Sequence, residues 1–568
     1  MRIRVTEVLA AVVALTTAVG CRRAPVALVE AGPRDAASAE QAMVVSASPY
    51  ASRVGAQIMA RGGNAVDAAI GVAFTLAVTY PTAGNIGGGG LMIAHVNGQN
   101  VALDFREVAP LAATRDMYLD AQGNPTKKSV TGALAVGVPG SVAGLYAAHQ
   151  KFGTMPWRDV VEPARALADT GFIADRAFVE DLRDNVSRFS GGSAAIFTPN
   201  GVPVDTGARW KNPELAATLR RIANEGARGF YEGETADKLV AEMQRGGGII
   251  TLEDLKRYEP KWRTPVEFTY RGQHVVTMPP VSSGGLTFAL MANILGGFDL
   301  KAMGWHSPDA IAAMAEAERL AYQRRNTLLA DPDFVPTPTA AFVSKDTADA
   351  LRKTINLAKH GSTPVPPDPV PGRHTTHFSV VDAHGNAVSL TTTLNTGYGS
   401  AVTVTGAGFL LNNEMDDFTA KPGALNAMGL RQGEANAIVP RKRMLSSMTP
   451  TIVLDSAGAV SLVVGAAGGA RIITAVAQII SNVVDFGMPI REAMNAPRFH
   501  AQDFPDRIEL TEGDSVAAKS ATVLKQRGHA ILMETDPWAF GWAQSIQRNG
   551  GKWHGATEPR GNGRAVGF

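Results

Sequence analysis

Cysteine is all but missing from this chain. Cys21 is the only one among 568 residues, so no intramolecular disulfide can form. Charge is sparse and balanced: Asp, Glu, Lys and Arg make up 19% and the net charge is +2. No basic stretch is interleaved with aromatic residues, which argues against a nucleic-acid partner. No apolar run is long enough to span a bilayer. Also absent are a Gly-x-Ser-x-Gly nucleophile elbow, a His-Glu-x-x-His zinc motif, a dinucleotide fingerprint and any repeat with a period of about 20–50 residues. The glycine run Gly84-Asn85-Ile86-Gly87-Gly88-Gly89-Gly90 has no Gly-Lys-Ser/Thr after it and lies between a helix and a strand in the wrong order for a phosphate loop. Close backbone packing or a substrate-facing wall is the better expectation. Three carboxylates fall within Asn413-Glu414-Met415-Asp416-Asp417. No histidine or further acid stands at ligand spacing there, so no metal is expected, and no cofactor.

What is present is the composition of a globular protein, 45% hydrophobic. The length allows two or more domains or one large α/β layered structure. At the N-terminus a basic Met1-Arg2-Ile3-Arg4 precedes an apolar run, residues 8–19, and then Ala18-Val19-Gly20-Cys21. This pattern predicts a lipoprotein-type signal over residues 1–21. Cys21 would be lipidated, and the protein exported to the periplasm and tied to the membrane only by that anchor. A plain secretory signal with an incidental cysteine is the alternative. Residues 21–42 form an Ala-rich leader expected to lack fixed structure.

Further along, Ser48-Pro49 opens a helix that runs to Arg61. Asn64 caps a second helix, Ala65–Thr79, apolar all round and therefore buried. Asn97-Gly98 turns a hairpin of residues 91–96 and 99–105. Arg106 at its end is either a surface charge or a bidentate carboxylate clamp. Strands are predicted over 270–277 and 408–412, and a helix capped by Ser307 over 308–329. Residues 422–433 form a Gly-containing loop that could serve as a lid. Gly465-Ala466-Ala467-Gly468-Gly469 leads into a helix from Arg471. N–H groups at such a helix start suit a developing oxyanion or belong to a packing turn.

The centre of the chain is His374-Thr375-Thr376-His377. Thr376–Val381 alternates as a strand, Asp382-Ala383-His384-Gly385-Asn386 is a tight turn, and residues 387–394 return. A turn centred on His384 sets Thr375 opposite Thr393. The preceding segment, residues 361–374, holds Pro364, Pro366, Pro367, Pro369 and Pro371. It cannot join a sheet or helix interior and is expected to be exposed and mobile. If the bond before Thr375 were cut, Thr375 would own a hydroxyl nucleophile and an α-amine with a pKa near 8 to serve as its base. The alternative is a linker followed by an ordinary hairpin.

Taken in order, several stretches resemble the γ-glutamyltransferase family of N-terminal-nucleophile hydrolases. They are Gly62-Gly63-Asn64-Ala65-Val66-Asp67-Ala68-Ala69, Asp104-Phe105-Arg106-Glu107, residues 278–285, residues 375–382, Leu394-Asn395-Thr396, residues 411–418, residues 445–448 and Gly468-Gly469-Ala470-Arg471-Ile472-Ile473. The likeness runs from about Met43 to the C-terminus. It implies a four-layer αββα sandwich and self-cleavage between His374 and Thr375. A large subunit, residues 22–374, would then pair with a small catalytic one, residues 375–568, and both would contribute to both sheets.

The resemblance implies roles as well. The donor is glutathione or another γ-glutamyl amide, and water, an amino acid or a peptide accepts the glutamyl group. Thr375 is the nucleophile and Thr393 its hydrogen-bonding partner. Gly468 and Gly469 hold the oxyanion. Arg106, with Ser446 and Ser447, takes the donor's α-carboxylate, while Asn395, Glu414 and Asp417 take its ammonium. Two positions depart from the family. Ala467 replaces a common Pro before the glycine pair, and Met428 replaces an aromatic residue in the lid. A cephalosporin or glutaryl acylase of the same fold is the alternative. Asp417 speaks against it, because an acyl group without an ammonium gains nothing from a carboxylate there. A surface lipoprotein that keeps the fold only as a binding module is a further alternative, opposed by the intact Thr375, Thr393, Arg106 and glycine pair.

Overall fold

The computed structural model describes residues 26–360, 375–536 and 539–568. Cys21, His374 and the Pro-rich segment lie outside the described residues. Among the described residues no helix is long and apolar enough to cross a membrane.

Two antiparallel sheets form the middle of the molecule. The first has eight strands in the order Val29–Ala31, Arg564–Gly567, Met43–Ser46, Thr376–Val381, Ala387–Thr393, Gly89–Val96, Gln99–Phe105 and Lys261–Arg263. The second has seven: Ala36–Ala39, Lys552–Thr557, Trp542–Asn549, Val460–Ala467, Thr451–Leu454, Gln273–Thr277 and Val266–Tyr270. Period-two alternation sorts the layers. Met43 and Val45 join the core shared with Val463 and Val464 of the second sheet. Val44, with Phe378 and Val380, faces the helices Pro49–Ala60 and Ala65–Thr79. On the far side Gly284–Leu295, Pro308–Leu328 and Arg471–Val484 cover the second sheet. The result is the αββα sandwich. Both sheets contain strands from before and from after Thr375.

Local signals translated well. The hairpin pairs Thr376 with Thr392 and Val381 with Ala387. Asp382 closes its turn by accepting from His384 N (2.9 Å) and Asn386 N (3.0 Å). Asn64 caps Ala65–Thr79 in a reciprocal capping box with Asp67, and all fifteen residues of that helix are buried. His377 is a buried ring between the sheets, bonded to Thr391 and Ser379. Burial drives its pKa down to about 3, so it is neutral.

Four expectations are corrected. The leader is not structureless throughout: Val29–Ala31 and Ala36–Ala39 each complete a sheet edge, because an edge strand offers unpaired backbone groups that even an Ala-rich segment can satisfy. Residues 270–277 are not one strand. They hold the turn of a hairpin, Val266–Tyr270 and Gln273–Thr277, reversed at Arg271 and Gly272, both at positive φ. Residues 408–412 make only isolated bridges, with positive φ at Gly406 and Gly408 bending the chain. Ser48 does not cap its helix through its side chain; its hydroxyl bonds Thr79 Oγ1 instead, at 2.8 Å.

Candidate active site

The hairpin register continues one step past Thr376, so Thr375 meets Thr393. Their hydroxyl oxygens are 3.0 Å apart, and both residues are buried. Thr393 Oγ1 accepts the N–H of Asn395 at 2.8 Å, which orients it. The glycine run sits against this strand. Asn85 Nδ2 donates to the Thr393 carbonyl at 2.9 Å, and a Cβ on Gly88 would come 2.1 Å from the same oxygen. Close packing is therefore what the glycines serve. Thr375 itself has φ +64°. A β-branched residue in the left-handed region is an outlier costing on the order of 1–3 kcal/mol.

A hydrogen-bonded path leads from there to a buried charge cluster. Asn395 Nδ2 donates to the Asn413 carbonyl at 3.0 Å, and Glu414 follows Asn413. The Arg106 guanidinium pairs with the carboxylates of both Glu414 and Asp417, while Nε donates to the Met444 carbonyl at 3.3 Å. Glu107 lies 3.8 Å away. Arg106 is 1% exposed, which rules out the surface-charge reading. Desolvation pulls its pKa down, yet the three carboxylates outweigh this and hold it above the ordinary range. Burial pushes Glu414 and Asp417 up, and Arg106 draws them back. Glu107 is raised to about 7 by burial, against the opposing pull of Arg106.

Other expected residues fall around this cluster with partners of their own. Ser446 Oγ accepts from Met448 N at 3.1 Å. The Ser446 carbonyl receives the Ser283 N–H (2.8 Å) and hydroxyl (2.6 Å), so the loop before Gly284–Leu295 fixes the Ser446–Ser447 segment. Ser447 Oγ accepts from Arg325 Nη2 at 3.2 Å.

Arg325 was not singled out in the sequence. It is fully buried on Pro308–Leu328, and Nε also donates to Ser283 Oγ at 3.0 Å. Burial lowers its pKa to about 10, with Asp417 and Asp503 among the charges that oppose the drop. The available signal was its place seven residues after Glu318, on one face of a helix whose apolar positions are buried. Asn426 was also missed. Its Nδ2 donates to Asp417 Oδ1 at 2.9 Å, while Oδ1 accepts from Met428 N (3.0 Å) and Leu430 N (2.9 Å). The lid loop is thus fastened to the acid beneath it.

Gly468 and Gly469 end the strand Val460–Ala467. Cross-sheet contacts tie this strand to the hairpin that carries Thr375. Ser389 Oγ reaches the Val464 carbonyl at 3.0 Å. His377, two ladder pairs nearer Thr375, packs on Gly465, where a Cβ would meet its ring at 2.2 Å. Continuing in that direction brings Thr375 toward the glycine turn. Both glycines have positive φ. Arg471 N donates to the Gly468 carbonyl and Ile472 N to that of Gly469, which leaves the glycine N–H groups ahead of the first helical bond. Met428 covers this turn: a Cβ on Gly469 would lie 3.0 Å from its Sδ.

Known proteins share this arrangement of sequence and fold. The chain is 45% identical to the glutathione hydrolase proenzyme of Pseudomonas sp. (strain A14), covering 98% of each chain. It is 46% identical to that of Escherichia coli (strain K12), over 92% of this chain and 91% of that one. A cephalosporin acylase from Bacillus halodurans superposes with a TM-score of 0.83 at 27% identity, over 94% of this chain and 97% of that one. The family model described as gamma-glutamyltranspeptidase matches residues 51–568, and the chain belongs to that family.

Proposed function

We propose that this protein is a self-processing γ-glutamyltransferase and glutathione hydrolase, with Thr375 as nucleophile. One observation carries the reading: Thr375, first after the Pro-rich segment, sits 3.0 Å from Thr393 at one end of the hydrogen-bonded path to Arg106, Glu414 and Asp417. Cleavage at His374–Thr375 frees the Thr375 amine. That amine takes the proton as Oγ1 attacks the γ-carbonyl of the donor. The N–H groups of Gly468 and Gly469 receive the negative charge that builds on the carbonyl oxygen. The C–N bond breaks, the leaving amine takes up the proton, and a glutamyl ester remains on Thr375. Water or an amino-acid or peptide amine then attacks the ester. Arg106, supported by the Ser446–Ser447 segment, suits the donor's α-carboxylate. Asp417, Glu414 and the Asn395 amide suit its ammonium.

The test compares two anilides, γ-glutamyl and glutaryl, which differ only in the ammonium. Turnover of the first with little of the second is expected. Preference for the glutaryl compound would move the protein to the acylase reading, and turnover of neither would leave a binding module.

The lid makes a further expectation concrete. Met428 packs on Gly469, but a thioether offers only weak hydrogen bonding and a flexible chain. A tyrosine here could wall off the ester and bond a polar neighbour, keeping water out. Met428→Tyr should therefore raise the ratio of γ-glutamyl-glycylglycine to free glutamate formed from one donor. An unchanged ratio would mean that Met428 only fills space.

We also propose that the protein is exported and anchored through a lipid on Cys21, on the motive of the signal-like N-terminus. Cys21→Ser should move it from the membrane to the soluble periplasmic fraction. Mass spectrometry that finds no acyl chains on the wild type would refute the anchor.

A further inference from the structure

We propose that Glu316, His360 and His529 form a binding site for a divalent transition-metal ion of the zinc class. The three residues come from segments far apart in the chain: the helix Pro308–Leu328, the stretch that ends at residue 360, and the turn after Ser515–Gln526. Their ligand-capable atoms all lie within 4.8 Å of one another.

Each prospective ligand is held from behind. Glu316 Oε1 is 2.5 Å from His360 Nδ1, while Oε2 accepts from Arg319 Nε (3.1 Å) and Nη2 (2.7 Å). The other nitrogen of His360, Nε2, is 3.2 Å from Asp506 Oδ1. A carboxylate behind a histidine and a cation behind a carboxylate are the outer partners that orient metal ligands. The backbone of His360 is fixed too. Its N–H donates to the Arg527 carbonyl at 2.6 Å, and Gly528 leaves room for its carbonyl, which a Cβ there would approach to 2.1 Å.

His529 is the observation that points to a ligand. Its ring is 6% exposed and stacked on His360, with centroids 4.3 Å apart and planes within 5°. No described group hydrogen-bonds to either of its nitrogens, which leaves them free for a ligand. A ligand-capable nitrogen of this ring already lies within 4.8 Å of those of Glu316 and His360. Two imidazoles and one carboxylate match zinc with an open fourth position, and not calcium or magnesium, which prefer all-oxygen sites.

Binding exchanges one proton for the ion. His360 lies between Glu316 and Asp506. The ion replaces the proton on Nδ1, and the Nε2 N–H stays on Asp506. Affinity therefore rises with pH. The charged and titratable neighbours that share in this are Glu316 and Arg319 on the helix and Asp506, Arg527 and His529 on the facing segments. Glu316 and His360 precede Thr375, whereas His529 and Asp506 follow it. If the chain is cut at Thr375 as proposed above, the ion would staple the two pieces together; the site itself does not depend on that cut.

The test uses the purified full protein, stripped with a chelator and titrated with Zn²⁺ against a chromophoric competitor at about pH 8. One zinc per chain is expected, with release of a proton, and Co²⁺ in its place should give visible ligand-field absorption. Asp506→Asn should weaken zinc binding about 10–100-fold. His529→Gln should weaken it at least about as much, and His554→Gln, at the surface, should not. Wild-type protein that takes up no stoichiometric zinc overturns the proposal whatever the variants do. So does binding that is equally tight in folded His529→Gln and Asp506→Asn, which would place the ion elsewhere.

Discussion

Thr375→Ala should leave the protein as one uncut chain and abolish turnover, by about 10⁴-fold or more for loss of a nucleophile. Wild type should run as two bands on a denaturing gel, the smaller one beginning at Thr375. In the cut, Oγ1 attacks the carbonyl carbon of residue 374 and the C–N bond breaks. The acyl group passes to oxygen, the amine is freed, and water hydrolyses the ester. Two features favour this step. Thr393 Oγ1, oriented by Asn395 N–H, is 3.0 Å from the attacking oxygen. The left-handed backbone of Thr375 is itself a strained conformation next to that bond. Thr375→Ser relieves crowding at Cβ but keeps a hydroxyl, so it should still cut, more slowly. Cleavage of Thr375→Ala at the same bond would show that this hydroxyl does not perform it.

The second large effect concerns the ammonium. Asp417→Asn keeps the shape of the side chain and its contact to Asn426 but removes the charge. Losing one side of a desolvated charge pair costs roughly 2–5 kcal/mol, so kcat/KM for a γ-glutamyl anilide should fall about 30- to 5,000-fold. Turnover of the glutaryl anilide should fall little or rise, and self-cleavage should persist. Equal losses on both anilides would mean that Asp417 holds the lid and not the substrate. Arg106→Ala is a poorer probe. It would leave Glu107, Glu414 and Asp417 facing one another without a cation, and an uncompensated buried cluster costs about 3–5 kcal/mol of stability. Lost activity there would mix binding with folding, so a melting curve must accompany it.

Much of the fold could be read locally. The hairpin about His384, its register, the Asn64 cap and the buried helix after it all depend on residues within a few positions of one another. Turn chemistry and side-chain period decide such features before any tertiary contact forms. The opposition of Thr375 to Thr393 follows from that register alone. Where local reading failed, at residues 270–277 and 408–412, glycines at positive φ bent stretches whose composition still looked like strand.

Long-range contact decided the rest. Nothing near Val29 or Ala36 announces a strand; the unpaired edges of two distant sheets recruit them. Arg106, Glu414 and Asp417 were each identifiable as charged residues of interest, but only folding makes them one desolvated cluster. Arg325 and Asn426 gain their place from Ser447 and Asp417, partners that lie elsewhere in the chain. Glu316, His360 and His529 have no common spacing at all. A short segment carries its own hydrogen-bond and steric preferences, whereas the energy of burying a charge depends on what else is buried beside it, and for these residues the neighbours come from distant parts of the sequence.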